Sequence, residues 1–254
     1  MPDIGERGTP LRIVTWLVPV LLLLALLAIY LAAPDFYLAY VLEESRREYQ
    51  AVEFVTVGSA LIASLILAGC AVRLWRVGPS AFAPQAGRGR FAGRSGAIAI
   101  GVIALAAFFF GGEEMSWGQT YFGWKTPEDY RQVSVETNLH NVDFPISVQS
   151  IGSAFIFTVL VILPALWALR GRIGLTLPGE WGPAMAEPPV IFAIVVAFAW
   201  KLFKNGYRTL AGEESTFYMQ FVEQINEQKE MLVAVGLLLY ALHRVVAVRD
   251  VSKV

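Results

Sequence analysis

Two short segments hold most of the residues that could do chemistry. Glu113-Glu114-Met115-Ser116-Trp117-Gly118-Gln119 sets two carboxylates beside a hydroxyl, an indole and an amide. Glu136-Thr137-Asn138-Leu139-His140-Asn141 sets a carboxylate and an imidazole four residues apart, on one face if the segment is helical. A neutral imidazole near carboxylates can ligate a divalent metal or relay protons. Glu113, Glu114 and His140 are therefore the candidate catalytic residues, and Glu114, Glu136 and His140 the candidate metal ligands. Trp117, Gln119, Asn138 and Asn141 are the candidate substrate contacts. The pattern is not H-E-x-x-H, so it specifies no particular metal.

The elements that must position these residues belong to a membrane. The chain has 254 residues, 56% of them hydrophobic and only 16% charged, with a mean hydropathy of +0.55. That composition is wrong for a soluble domain. A hydrocarbon core of about 30 Å needs about 20 helical residues. Six apolar segments come near that length: 11–33, 51–75, 97–117, 146–169, 189–203 and 231–248. The reading is an all-α polytopic bundle of six spans, with 76–96 as an Arg-rich cytoplasmic loop and 112–145 as the outer loop carrying the site. The first run is too long for the apolar region of a signal peptide, about 7 to 15 residues, and is expected to be a retained span. Lys201, His243 and Arg244 intrude near the ends of the last two spans, where snorkelling of long basic side chains would accommodate them.

Basic residues set the expected orientation. With the N-terminus inside, Arg7, Arg12, Arg73, Arg76, Arg88, Arg90, Arg94, Arg170, Arg172, Arg244, Arg249 and Lys253 are cytoplasmic, and eight Lys or Arg remain outside. This positive-inside bias places both termini in the cytoplasm. Trp16, Trp75, Trp167 and Trp181 then fall near the inner interface, and Trp117, Trp124 and Trp200 near the outer one.

Acidic residues segregate the other way, with 16 of the 21 Asp and Glu outside. Counting about 20 residues from the cytoplasmic arginines brings Glu53, Glu114 and Glu223 to about one depth, with Glu227 and Glu230 alternatives if the last helix ends at Arg249. A carboxylate at the hydrocarbon edge is costly unless paired, hydrated or metal-bound, which makes it a functional candidate. Glu53, Glu223 and Glu227 thus form a supporting acidic cluster. A plainer reading pairs Glu223, Glu227 and Glu230, which share a helical face, with a basic stripe of Lys201, Lys204 and Arg208 on the neighbouring span.

The E-E-x-S-W-G-Q element at 113–119, with Thr126-Pro127 and the E-x-N-L-H-N element at 136–141, resembles a family of bacterial multi-pass membrane proteins of unknown function. The resemblance covers about 30 residues closely and implies that this loop is the family's characteristic feature, without implying an activity. A thinner similarity is to membrane hydrolases related to alkaline ceramidases, which gather Glu, Asp, Ser and several His around a zinc near one membrane face; here there is one outer histidine, His140.

The expected function is a metal-dependent hydrolase of a lipid-like substrate, with a divalent metal as the cofactor and the lipid bilayer as its surroundings. Two alternatives stand beside it. One is a non-catalytic accessory or assembly subunit docking a membrane-protein partner, and the other is a proton- or cation-coupled transporter. The middles of the spans carry almost no ionisable residue, which argues against transport. No basic domain suggests nucleic acid. The single cysteine, Cys70, allows no disulfide framework, and no P-loop, G-x-S-x-G elbow, haem motif or dinucleotide fingerprint is present.

Overall fold

A computed structural model describes residues 9–41, 51–77, 94–122, 148–175 and 179–251. Among them every regular element is helical, and six helices are long and apolar enough to cross a membrane. These are α1 (Thr9–Ala32), α2 (Ala51–Val77), α3 (Ser95–Glu114), α4 (Val148–Leu169 in three segments), α5 (Pro188–Ala211) and α6 (Ile225–Val251). Most of the arginine-rich linker, and the segment bearing Glu136, Asn138, His140 and Asn141, lie outside the described residues. The chain is a multi-pass helical membrane protein.

Its surface shows why lipid must surround it. Ile13, Leu17, Leu21 and Leu24 on α1, Leu65 on α2 and Leu105 on α3 are all half exposed or more. Their exposure would be costly in water and is the expected surface in hydrocarbon. Polar side chains go inward instead: Thr15, Thr56, Ser64, Gln228, Lys229, Glu230, His243 and Arg244 are all buried.

Helix α6 is the axis of the bundle. Its span is 72% buried, against 22–44% for the other five, and it packs mainly on α2 and α5. Gly236 lets α5 come close, because a Cβ there would lie 2.5 Å from Ile194 Cδ1. The α2–α3 pair is the other large contact, pinned where Ser64 Oγ donates to the Ala104 carbonyl at 2.8 Å.

Three turns among the described residues are π-helical, one of them Tyr37–Val41 after α1. In α4 the turn Thr158–Ile162 is π-helical just before Pro164, whose ring removes an N–H and crowds the carbonyl four residues back. The third, Tyr218–Val222, precedes α6 and is capped by Ser215 Oγ accepting from Tyr218 N at 3.1 Å. The break that follows is held from inside by fully buried Gln228. Its Oε1 accepts from Trp200 Nε1 at 2.6 Å, and its Nε2 donates to the Tyr37 hydroxyl at 2.8 Å and to the Phe221 carbonyl at 3.4 Å. Burial pushes the Tyr37 phenol's pKa up, so it remains a neutral partner for that amide.

At the opposite end a second polar knot fastens α1 to α6. Thr15 Oγ1 donates to the Leu11 carbonyl at 2.7 Å and lies 3.0 Å from His243 Nε2. His243 Nδ1 is 3.0 Å from Glu187 Oε2, and an Arg244 terminal nitrogen donates to Glu187 Oε1 at 3.4 Å. The His243 ring thus bridges Thr15 and Glu187, one nitrogen to each. His243 and Arg244 therefore do not snorkel as expected; they are 3% and 2% exposed, because Glu187 follows them into the bundle. The contact also puts the start of α1 and the end of α6 at one face, as six spans require.

Breaking such a buried pair from one side strands a charge and costs about 3 kcal/mol. Glu187→Ala is expected to lower the melting midpoint in detergent by about 6–12 °C, at about 2–4 °C per kcal/mol for a chain of this size. The hydrogen bond from His243, then the charges of His243 and Arg244, hold the Glu187 carboxyl below its ordinary value of 4.5. A lowered folded value gives stability that is present above the ordinary value and lost as pH falls through the folded one. Acid melts should accordingly show wild-type protein losing this increment only below the usual carboxylate range, and Glu187→Ala showing no such loss there.

Candidate functional site

The other end of the bundle gathers the carboxylates. Helix α3 ends at Glu114, and the first turns of α6 carry Glu227 and Glu230, three residues apart and so on one face. One carboxylate oxygen from each of Glu114, Glu227 and Glu230 lies within 4.8 Å of the others. Glu230 is 6% exposed and Glu114 half-buried, while Glu227 opens to the surface. Glu53, at the start of α2, is near enough to act on the Glu114 charge, as are Glu227, Glu230 and Lys229. Lys229 is 2% exposed, and its Nζ lies 3.3 Å from Glu230 Oε1. One buried ammonium thus stands among several carboxylates.

Glu113 is held separately by a strained turn. Ser116, Trp117 and Gly118 all adopt left-handed backbone, with φ of 45°, 54° and 82°. For the two non-glycine residues this costs of order 1–3 kcal/mol each, so the surroundings must over-determine it. The turn folds the Trp117 ring back over Gly112, where a Cβ would lie 2.8 Å from the indole. Trp117 Nε1 then donates to Glu113 Oε1 at 2.7 Å. Phe109 and Phe108 meet the indole edge-on, with ring centres 5.5 Å and 6.0 Å away.

Beneath these groups lies a cavity of about 450 Å³ between α3, α4 and α6. Its walls are apolar, with Leu105, Phe109, Ile151, Phe155, Ile156 and Val233 among them, and its polar end is formed by Glu113, Glu114, Lys229 and Glu230. That volume falls in the range of small-molecule sites. An apolar chamber closed at one end by carboxylates and an ammonium suits an amphiphile, tail inside and polar group at the charges.

Of the residues singled out in the sequence, Glu114 and Glu227 come together, with Glu53 near them. Glu113 and Glu114 both line the cavity, whereas Trp117 acts through Glu113. Gln119 opens a short helical turn, Gln119–Phe122, and does not line the cavity. Glu223 is exposed; Lys204 Nζ donates to its main-chain carbonyl at 2.6 Å, and Arg208 pairs with Glu213. Glu136, Asn138, His140 and Asn141 are outside the described residues. Lys229 has no role in the site on the sequence reading, which places Glu230 either at the depth of the acidic cluster or opposite the basic stripe of Lys201, Lys204 and Arg208. A Lys-Glu pair just inside an apolar segment was the available signal.

No protein-family model matches the chain, and no curated protein or solved structure is significantly similar to it.

Because Glu113 is buried, losing its indole donor should cost about 2 kcal/mol, the usual value for a hydrogen bond to a charged group. Trp117→Phe keeps the ring and removes the N–H. Its melting midpoint in detergent is expected to fall by about 4–8 °C; an unchanged midpoint would separate Trp117 from Glu113.

Proposed function

We propose that this chain is a divalent-cation-dependent hydrolase of a lipid-like substrate. We further propose that it sits in the inner membrane of a bacterium, both termini in the cytoplasm and the acidic site facing out. The observation that carries this reading is the meeting of three carboxylates, Glu114, Glu227 and Glu230, within 4.8 Å at the polar end of an apolar cavity of about 450 Å³. Three carboxylates offer only hard oxygen donors, which suits Mg²⁺, Mn²⁺ or Ca²⁺ better than a thiophilic metal. In this reading those three glutamates hold the cation, which when bound supplies Lewis-acid polarisation of the scissile carbonyl or phosphoryl group.

The remaining groups have separable tasks. Lys229 offsets part of the negative charge when the cation is absent and can hold an anionic substrate oxygen. The apolar walls orient the acyl chain and keep bulk water from it. Glu113 borders the cavity but lies outside the ligand set, and Trp117 fixes the direction of its carboxylate. It is assigned the proton transfer: a water oxygen bonds to the acyl or phosphoryl centre, Glu113 takes that water's proton, and the leaving oxygen or nitrogen receives it as its bond breaks.

Two measurements on the full chain in detergent test this. Titrated with Mn²⁺, the wild type is expected to bind one ion saturably, and Glu114→Gln or Glu230→Gln to weaken that binding at least about tenfold. With a fluorogenic acyl ester, Glu113→Gln is expected to lower kcat by about 10²–10⁴ while leaving Mn²⁺ affinity within a few-fold. Absence of saturable Mn²⁺ binding by the wild type, or equal turnover by Glu113→Gln, overturns the assignment.

A further inference from the structure

At the end of the bundle remote from the glutamates, the last turn of α2 and the first turn of α3 enclose a groove of about 240 Å³ lined by Ala71, Val72, Trp75, Arg76, Ala97 and Ile98. Four of these are apolar or small, one is an indole and one a guanidinium. Among the described residues no carboxylate lines it.

Arg94 adds a second cation under unusual conditions. It occupies the N-cap position of α3, where Ser, Thr, Asp or Asn would normally accept from the first free amides, and no side chain caps the helix there. A cation at that position adds to the positive end of the helix dipole instead of opposing it. The Arg94 guanidinium lies 4.4 Å over the Trp75 ring, and its Nε is buried with no hydrogen-bond partner. Satisfying a buried donor is worth the desolvation it otherwise costs. Arg76 therefore lines the groove, and Arg94, over the lining residue Trp75, stands beside it with the N-terminus of α3, while among the described residues no negative group lines it.

The groove faces lipid. Val72 and Ile98 are about half exposed, Trp75 is 39% exposed, and an indole here sits where a span meets the headgroup layer. An occupant must then carry negative charge at the level of Arg76 and Arg94 and an apolar chain alongside Val72 and Ile98. We propose that this groove binds an anionic phospholipid of the surrounding bilayer, its phosphodiester held by Arg94 and Arg76 and its acyl chain laid between α2 and α3. Guanidinium forks match phosphate oxygens in two-point contact, which an ammonium cannot do. Charge complementarity selects this occupant over a zwitterionic lipid, and the apolar floor selects it over a free anion.

The test uses the full chain in nanodiscs and in detergent. Native mass spectrometry of protein released from nanodiscs of equal dioleoylphosphatidylglycerol and dioleoylphosphatidylcholine is expected to retain the anionic lipid at least about fivefold more often. In detergent, dioleoylphosphatidylglycerol is expected to bind saturably. The Arg76→Gln/Arg94→Gln double variant should bind it at least about tenfold more weakly, as expected for loss of two charge-assisted contacts. Arg172→Gln, at an exposed arginine elsewhere, should bind as wild type, and inorganic phosphate at millimolar concentration should not displace the lipid. Equal retention of the two lipids overturns the proposal, and so does an equal loss in Arg172→Gln and the double variant. Full displacement by phosphate overturns it too, since it would mark an anion site without a lipid. The nanodisc comparison needs only wild-type protein, so it decides even if the double variant does not fold.

Discussion

The rest of the structure depends on where α6 can keep its charges. Gln228, Lys229 and Glu230 near one end and His243 and Arg244 near the other are all buried on a single helix, in surroundings where an unpaired ion costs several kcal/mol. Lys229 pairs with Glu230 on α6 itself, and Gln228, His243 and Arg244 recruit partners from other elements. Gln228 takes Trp200 of α5 and Tyr37 from the turn after α1, and His243 takes Thr15 of α1 and Glu187 from the start of α5. Packing of leucines against lipid-like neighbours does little to fix helix order, because lipid tails are as apolar as leucine. Polar partnership does it here, and this is why α6, the span with the most polar residues, is also the most buried.

This explains what could be read from the sequence and what could not. Apolar length announced six helices, since about 20 residues must cross the hydrocarbon and nothing but a helix satisfies their backbone. Counting along each helix from its arginine brings Glu114 and Glu53 to one level, because rise per residue is fixed, and Glu53 is near enough to act on the Glu114 charge. Counting gives depth but not azimuth. It could not separate an exposed Glu223 from a buried Glu230 seven residues later, nor reveal that Lys229 points into the same cluster. His243 and Arg244 were misjudged for a related reason. Snorkelling assumes that the nearest relief for a charge is the headgroup layer, and the carboxylate of Glu187, 56 residues away in sequence, lies nearer.

The turn at 116–118 shows the same logic at closer range. Two non-glycine residues in left-handed backbone are unfavourable, and an isolated peptide would relax them. They persist because the turn delivers Trp117 to Glu113, against Phe108, Phe109 and the bare Cα of Gly112. The indole gives a buried carboxylate its hydrogen bond while leaving it beside the cavity. A chain selected only for stability would put a neutral side chain at 113 and straighten the turn. Strain kept in order to hold one carboxylate in one direction is the pattern of a working site.

Helix α3 joins the two poles of the bundle. A helix prefers acids at its N-terminus and bases at its C-terminus, by about 0.3–1 kcal/mol each at exposed positions. Here Arg94 stands at the N-terminus and Glu114 closes the C-terminus, so both ends carry the sign that the dipole disfavours. In the proposed orientation topology accounts for the arginine, because basic residues are retained on the cytoplasmic side whatever the helix direction. It does not account for Glu114, since acids have little influence on orientation. The dipole's negative end, Glu114 and the two glutamates of α6 together make one pole of the bundle attractive to a cation. Arg94, Arg76 and the dipole's positive end make the other attractive to an anion. Among the described residues Lys229 offsets part of the charge at the acidic end, with Lys201 acting on Glu230 and Lys204 on Glu227, while no carboxylate lines the basic groove. The two proposed ligands, a cation among the glutamates and a lipid phosphate beside the arginines, would each supply the sign that its end of α3 lacks.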